Sequence, residues 1–586
     1  MVVGPEGRED GTDVDTDLVA RVREWMAQDP DGETRGELEA LLRDEDADAL
    51  RERFDGKLEF GTAGLRGPLG AGPTRMNRVT VMRAAAGLCA WLRAQPSPQP
   101  SAQPSPGPSA QPSSGPSVRL GAGRTVVIGY DARHKSRVFA RDTAAVAAGA
   151  GLRALLLPGP LPTPVLAYAI RHLGADAGVV VTASHNPPRD NGYKVYVGDG
   201  SQIIPPVDAE ISAAIDAIGP VDALPLGDDW QVLGDEVRQA YLTALTDLPI
   251  GTARDVTVAY TPLHGVGRDT TLAAFARAGF PAPVVVPEQA EPDPDFPTVA
   301  FPNPEEPGAM DLALHLGKRT HADIVIANDP DADRCAVAVT SGAGARRLTG
   351  DEVGGLLAEH VLTHTGGADR LVATTIVSSS LLSRIAEAHG VRYTETLTGF
   401  KWLARAGGPG ARLVYAYEEA LGYCVGGEQG PPVRDKDGIG AALVVAGMAA
   451  AAELDGRTLL DLLDDQARRY GVHATRQVSV RVTDPSLIAD AMRRMRARPP
   501  SAFGDLRVVG ADDLAAGFGD LPPSDVLRYR LESGARVIVR PSGTEPKLKA
   551  YLEVVEPVTG EVAPARAAAE ARLDALAPAI TETLGL

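Results

Sequence analysis

The 586-residue chain holds only three cysteines, Cys89, Cys335 and Cys424, with no CxxC spacing among them. That argues against a secreted disulfide scaffold and suits a reducing compartment, each thiol reading as a small buried hydrophobe. Long apolar runs are missing too: none approaches membrane-spanning length, and the opening MVVGPEGREDGTDVDTD is acidic with no apolar core. A cytoplasmic protein without membrane attachment is the expectation. Positive charge is short, 58 basic against 77 acidic residues, for a formal net charge of -19. A general nucleic-acid or anionic-membrane surface is therefore not expected, and any phosphate must be held in a focused site. Lysine is scarcest among the charges, eight residues against fifty arginines, and six of the eight (Lys135, Lys194, Lys401, Lys436, Lys547, Lys549) fall in polar loops or motifs. Where arginine dominates, a retained lysine suits proton transfer or a compact charge on phosphate, although chance placement explains any one of them equally well. No GxxxxGK[ST] loop and no GxSxG elbow occur, so neither a P-loop ATPase nor a serine hydrolase is indicated.

What is present is apolar material for several cores, 44% of the residues. One stretch is set apart: residues 95–118, with QPSPQPSAQPSPGPSAQPSSGPS, form a Pro/Ser/Gln repeat that reads as a disordered loop insertion inside a domain. After it the pattern alternates. TVVIGYD, RALLLPG and AGVVVTASH read as buried strands separated by helical stretches, which is βαβαβ and implies a mostly parallel sheet with helices on its faces. A second round runs from DVTVAYTPLHG to ADIVIANDPDADR, and a third from RLVATTIVSSS through ARLVYAYEEALGY to an alanine-rich helix after Asp437. The last part differs, with a hairpin expected in VLRYRLESGARVIVRPS turning at Ser533-Gly534, and a terminal helix. The expected division is a helical extension at 1–50, three α/β domains at 51–212, 213–342 and 343–475, and an α+β domain at 476–586.

In open α/β sheets ligands bind beyond the carboxyl ends of strands, and the loops there are unusually polar. They are TASHNPPRDNGYK, NDPDADR, YEEALGY and, from the last domain, RPSGTEPKLKAY. Asp329, Asp331 and Asp333 alternate after an apolar strand, a spacing of hard oxygens that suits Mg²⁺; a solvated acidic turn is the plainer alternative. An EF-hand is excluded, since Arg334 stands where glycine is needed and Thr340 where a bidentate glutamate is needed. Ser184, taken alone, is a turn or N-cap serine. Joined to the aspartate loop it reads as a phosphorylated serine, which would need a cation close by. Lys194 is the candidate acid/base, and His185 is either a second proton carrier or a loop former.

These residues resemble the α-D-phosphohexomutases, the phosphoglucomutase/phosphomannomutase superfamily, from FGTAGLRG at Phe60 to the terminal helix, with four motifs in order. The resemblance implies four domains around a central cleft, with Ser184 carrying the phosphoryl group and one Mg²⁺ per site on Ser184, Asp329, Asp331 and Asp333. It puts Arg334 beside the reacting phosphate and Arg66 near the phosphoserine. It implies sugar-phosphate contacts from Thr398, Gly399, Lys401, Glu419, Arg540, Ser542, Gly543 and Thr544, with Lys436 as a further phosphate contact. The implied reaction interconverts hexose 1- and 6-phosphates through a bisphosphosugar, which also serves as activator, in a monomer or homodimer whose partners are small sugar phosphates. Glu419-Ala420-Leu421-Gly422-Tyr423 departs from the family's Glu-x-Ser-Gly-His, because leucine cannot hydrogen-bond a sugar hydroxyl. The variant looks like the branch of long phosphoglucomutases and phosphopentomutases, which keeps a phosphopentomutase open. Remoter alternatives are a haloacid-dehalogenase-like phosphatase, which NDPD also resembles, and a non-catalytic sugar-phosphate-binding protein.

Overall fold

The computed structural model describes residues 15–61, 63–96, 123–341, 344–482, 484, 486–519, 521–542 and 547–585. Of the expected Pro/Ser insertion only Gln95 and Pro96 are described; the rest, with Gly543 and Thr544, lies outside the described residues.

Three α/β sheets share one plan. In the first, Asp190–Val197, Ala177–Val181, Thr125–Tyr130 and Arg153–Leu156 lie side by side in that order. The last three are parallel, while Asp190–Val197 returns antiparallel beside Ala177–Val181. The second sheet repeats this with Ala336–Ser341, Ile324–Ala327, Val258–Thr261 and Val284–Val285, and the third with Gly422–Val425, Arg412–Glu418, Arg370–Thr375 and Arg392–Thr396. The central strands read as unbroken apolar runs because both faces are covered, and Thr125–Tyr130, Ala177–Val181 and Ile324–Ala327 are buried throughout. The fourth sheet is antiparallel throughout, its six strands running in the order Val472–Arg481, Lys547–Glu556, Arg536–Pro541, Leu527–Leu531, Leu506–Asp513 and Ala502–Phe503. Burial alternates along Leu506–Asp513, as expected where one face packs on helices, here Ser486–Ala497 and Val562–Leu584. The expected hairpin pairs Leu527–Leu531 with Arg536–Pro541 around Ser533 and Gly534.

The sheets extend past several expected boundaries. Gln231–Val232 pairs with Arg153–Leu156, so the first sheet does not end at 212. Gly344–Arg347 belongs to the second sheet, and the fourth begins at Val472. The expected extension at 1–50 is helical in its described part, as Thr16–Gln28, Gly32–Arg43 and Ala47–Phe54. It is no appendage, however. Leu18, Val22, Trp25, Leu38, Leu50 and Phe54 enter one core with Ile128, Val179 and Tyr193 of the first sheet.

Helix Gly438–Leu454, capped by Asp437, is apolar on every side and buried accordingly between the second and third sheets. Its glycines permit that approach: a Cβ on Gly438 would stand 2.2 Å from Arg334 O, and one on Gly447 2.2 Å from Ile250 O. No single helix among the described residues is long and apolar enough to cross a membrane.

Candidate active site

The shared plan places three polar turns at equivalent positions, each between the last parallel strand of a sheet and its antiparallel return. They are 182–189, 328–335 and 419–421. Each contains one non-glycine residue in the left-handed region: Ser184 (φ 52°), Ala332 (φ 54°) and Leu421 (φ 64°). Such backbone is costly for an L-residue and persists only where neighbours hold it.

Around Ser184 the holding group is Arg133, from the loop after the strand Thr125–Tyr130. Its buried guanidinium donates to four carbonyl oxygens of the turn: Ser184 and Asn186 at 2.6 Å, Pro187 at 2.8 Å and Asp190 at 3.2 Å. Asp131 lies 3.4 Å from its Nε, and its plane stacks 4.9 Å from the Phe296 ring, which belongs to the second unit. The Ser184 N–H donates to Thr182 Oγ1 at 2.8 Å. So fixed, Ser184 Oγ donates to Asp329 Oδ2 at 2.7 Å and lies 3.1 Å from His185 Nδ1. Burial first, then the Arg334 and Arg66 charges, hold the His185 pKa well below the usual histidine range.

Asp329, Asp331 and Asp333 are fully buried, and one carboxylate oxygen from each lies within 4.8 Å of the others. Thr163 Oγ1, from the first unit, donates to Asp331 Oδ2 at 2.8 Å, and Lys194 Nζ donates to Asp331 Oδ2 at 2.8 Å and Asp333 Oδ2 at 3.2 Å. Lys436 Nζ, from the third unit, is also 3.2 Å from Asp333 Oδ2. Burial and the two neighbouring carboxylates push the Asp329 pKa well above its ordinary value. Burial is the largest single influence on Asp331 and on Lys194 and opposes charge on both, but the contributions against it prevail together: the Lys194 charge with hydrogen bonds from Asp329, Lys194 and Thr163 lowers the Asp331 pKa, and the Asp331 and Asp333 charges raise that of Lys194. Asp331 Oδ1 and Asp333 Oδ1 have no hydrogen-bond partner although both are buried. Orphaned hard oxygens at this spacing are the donor set a divalent cation requires, so the residues fit a metal.

Arg334 ties the second turn to the third. Its N–H donates to Asp329 Oδ1 at 3.0 Å, its Nη1 donates to Ala420 O at 3.1 Å, and its backbone bridges Gly422. Arg66, half-buried on the strand Leu65–Pro68, donates to Asn186 Oδ1 at 3.3 Å. In the third turn Glu419 accepts from Ser378 Oγ at 3.1 Å and Thr375 Oγ1 at 3.3 Å; burial, then Glu418 and Asp351, push its pKa up to about 7. Glu418 accepts from the Gly399 N–H at 2.8 Å, and beside it stand half-buried Thr398 and Lys401. Tyr423 faces away: it is buried, its hydroxyl donates to Gly350 O at 3.3 Å and its ring stacks near Tyr417, so it does not take the place of a cleft histidine. From the fourth sheet Arg540 Nη1 donates to Tyr551 Oη at 3.1 Å and the Ser542 N–H to Lys547 O at 2.8 Å. Burial lowers the Lys549 pKa, with the Glu419 carboxylate as the foremost opposing charge, so the third and fourth units meet at this cleft.

Ser184, His185, Lys194, Arg334 and the three aspartates therefore converge, with Arg66 beside them. Arg133 and Thr163 were not picked out from the sequence, nor was Glu305, whose carboxylate lies 3.5 Å from Arg334 Nη1. The TP pair opening helix Thr163–His172 was the one available signal, and it indicated only a helix start.

Four family descriptions match in order: Phosphoglucomutase/phosphomannomutase alpha/beta/alpha domain I over 116–221, domain II over 239–342, domain III over 349–470, and the C-terminal domain over 478–568. A Haemophilus influenzae protein named "Probable phosphomannomutase" is 44% identical across 82% of this chain and 93% of its own length. A Mus musculus protein named "Phosphopentomutase" is 33% identical across 94% and 92%. The fold is shared with the crystal structure of a phosphoglucomutase/phosphomannomutase family protein from Burkholderia thailandensis, at a TM-score of 0.63 and 20% identity over 89% of this chain and 97% of that one.

Proposed function

Because the chain belongs to the phosphoglucomutase/phosphomannomutase family, whose members are isomerases of the intramolecular phosphotransferase type, we propose that it interconverts hexose 1-phosphate and hexose 6-phosphate through a phosphoserine at Ser184. Glucose or mannose is the sugar, a bisphosphosugar the intermediate and activator, and the enzyme works in the cytoplasm as a monomer or homodimer without nucleic acid or membrane. The observation that carries this reading is the 2.7 Å hydrogen bond from Ser184 Oγ to Asp329, which sets a hydroxyl against three buried carboxylates of another sheet.

Asp329, Asp331 and Asp333 are the residues that would hold Mg²⁺, which when bound offsets charge on the transferring phosphoryl group. Arg334, Arg66 and Lys436 bring the chain's own positive charge to the same place, preorganised before substrate arrives. In the first half-reaction the Ser184 Oγ–P bond breaks and a bond forms from phosphorus to the sugar hydroxyl oxygen, whose proton ends on Ser184 Oγ. His185 is the group that accepts it, and the neighbouring Lys194, charged beside Asp331 and Asp333, is the donor. After the bisphosphate turns over in the cleft, the same steps run in reverse on its other end. Arg540, Ser542, Gly543 and Thr544 hold the phosphate that is not reacting, and Glu419 accepts from sugar hydroxyls, with Thr398, Gly399 and Lys401 beside it.

A pentose reading rests on one feature: the third turn contributes Glu419 followed by two hydrocarbon side chains, so few contacts there depend on ring size. Side-by-side assays of glucose, mannose, glucosamine, ribose and deoxyribose 1-phosphates with bisphosphate and Mg²⁺ decide between them, with glucose 1-phosphate expected to be converted. Ser184→Ala should abolish turnover and the phosphoryl label found on the protein by mass spectrometry, and chelation should silence the enzyme. Activity surviving either treatment would overturn the proposal.

A further inference from the structure

Away from the cleft, a cavity of about 360 Å³ lies where helix Thr16–Gln28 meets helices Arg78–Ala94 and Val207–Asp216 beside the strand Leu65–Pro68. That is within the size range of small-molecule pockets. Its apolar walls are Leu58, Phe60, Leu65, Pro73 and Ile215. Its polar lining consists mainly of donors. Among the described residues Arg83 forms no ion pair within 4 Å, the Glu24 carboxylate acting on it only as a nearby charge, and its one hydrogen bond there is a 3.4 Å contact from Nη2 to Gln28 Oε1. Trp25, 7% exposed, lies 5.7 Å beneath the guanidinium, and its Nε1 and the Arg83 Nε both lack an acceptor. Asp216, the carboxylate of the lining, is already paired with Lys57 on the exposed side.

A buried guanidinium Nε–H and a buried indole N–H without acceptors are both unfavourable when left alone. An oxyanion relieves both, and the apolar walls call for a compact hydrocarbon body behind it. We propose that this cavity is a binding site for a small apolar oxyanion, an aromatic carboxylate or phosphate monoester, held by Arg83 and Trp25. The site also touches the catalytic segment: Phe60 and Leu65 line it, and Arg66, on the opposite face of the same strand, contacts the Ser184 turn. An occupant therefore bears on the placement of Arg66. Only this kinetic consequence rests on the mutase reading; the binding does not.

Equilibrium dialysis of the full chain with benzoate, phenyl phosphate and neutral benzamide tests the site without turnover. One equivalent of benzoate or phenyl phosphate should bind saturably, whichever binds identifying the source of the oxyanion, and benzamide should not. Binding should weaken about tenfold or more in Arg83→Leu, and about threefold to tenfold in Trp25→Phe, which keeps the ring and loses only the donor. Saturating glucose 1-phosphate should leave benzoate in place, and bound benzoate should change KM for glucose 1-phosphate, the benzoate concentration giving the half-maximal change rising about threefold to tenfold in Trp25→Phe. Absence of saturable binding, equal binding of benzamide, displacement by glucose 1-phosphate, or unchanged affinity in both variants would each overturn the assignment. A Ser184→Ala protein that still binds benzoate separates this result from the fate of the catalytic proposal.

Discussion

Gly438→Ala tests whether the aspartate turn is positioned by a helix that never touches substrate. A methyl at Gly438 would sit 2.2 Å from Arg334 O and 2.8 Å from Asn328 Nδ2, the amide that itself donates to Arg334 O. Real Cβ contacts essentially never fall below 3.0 Å, so the Arg334 carbonyl must retreat by about 1 Å. The N–H of the same residue is the donor to Asp329 Oδ1, and Asp329 accepts from Ser184. The displacement therefore passes directly into the reacting geometry. A misplacement of about 1 Å is associated with roughly hundredfold losses, or about 2.7 kcal/mol of transition-state stabilisation. Overpacking adds about 1–3 kcal/mol of destabilisation. The measurement is kcat/KM for glucose 1-phosphate beside a melting curve, with Gly36→Ala as control. Gly36 lies inside helix Gly32–Arg43 with nothing within 4 Å of its Cβ site, so that change should leave activity alone and stabilise by about 0.5–1 kcal/mol. A Gly438→Ala enzyme within about threefold of wild type would refute the idea that helix Gly438–Leu454 fixes Arg334.

Thr163→Val removes the hydroxyl donated to Asp331 while the Thr163 N–H still reaches Asp331 O at 2.9 Å; the apparent Mg²⁺ affinity in the activity assay should fall about tenfold or more, and an unchanged titration would remove Thr163 from that role. Arg133→Met strands four carbonyls and should cost about 3 kcal/mol or more locally, read as faster hydrogen exchange across 182–190 together with lost turnover; unchanged exchange would count against the clamp. Glu419, with its pKa raised to about 7, becomes an acceptor-only carboxylate as pH rises through that value, so kcat/KM should climb between about pH 6 and 8, and Glu419→Gln should flatten the rise. The stability sign is opposite: between its ordinary value of 4.5 and 7 the unfolded chain binds fewer protons at this site than the folded one, so this group's contribution to stability declines with pH in that window.

Periodicity made much of this fold legible. Strands such as Ala177–Val181 and Ile324–Ala327 are unbroken apolar runs ending in polar turns, and that junction points to Ser184 and Asp329 without knowledge of any contact. The return strand Gly422–Val425 was harder to see. YEEALGY carries no turn glycine where the backbone goes left-handed, because Leu421 occupies that place and tertiary contacts, including Cys335 N–H to Leu421 O at 3.1 Å, hold it there. Arg133 and Thr163 were illegible for a different reason. Their partners lie 51 to 57 and 168 residues away, and no local pattern distinguishes an arginine that clamps a distant turn from one that faces water. The amino-terminal helices looked separable because amphipathicity marks an apolar face without saying which surface covers it.

The repeated sheet plan explains why the site could be assembled from three units at all. A parallel strand followed by an antiparallel return must reverse at its carboxyl end, where ligands of open α/β sheets gather, and each of the three turns does so with one strained residue. Ser184, Ala332 and Leu421 could each be glycine on backbone grounds alone, so their side chains, or the rigidity they lend, matter. At Ser184 the reason is a hydroxyl that glycine lacks. At Ala332 and Leu421, 0% and 4% exposed, a side chain packs into the core and narrows the conformations open to the unfolded turn. Ala332→Gly should therefore loosen the aspartate turn without removing a single carboxylate, separating placement of the trio from its charge. Weakened Mg²⁺ dependence with melting behaviour near wild type would support placement as the controlling factor, whereas full retention of both would show that the strain at this turn is incidental.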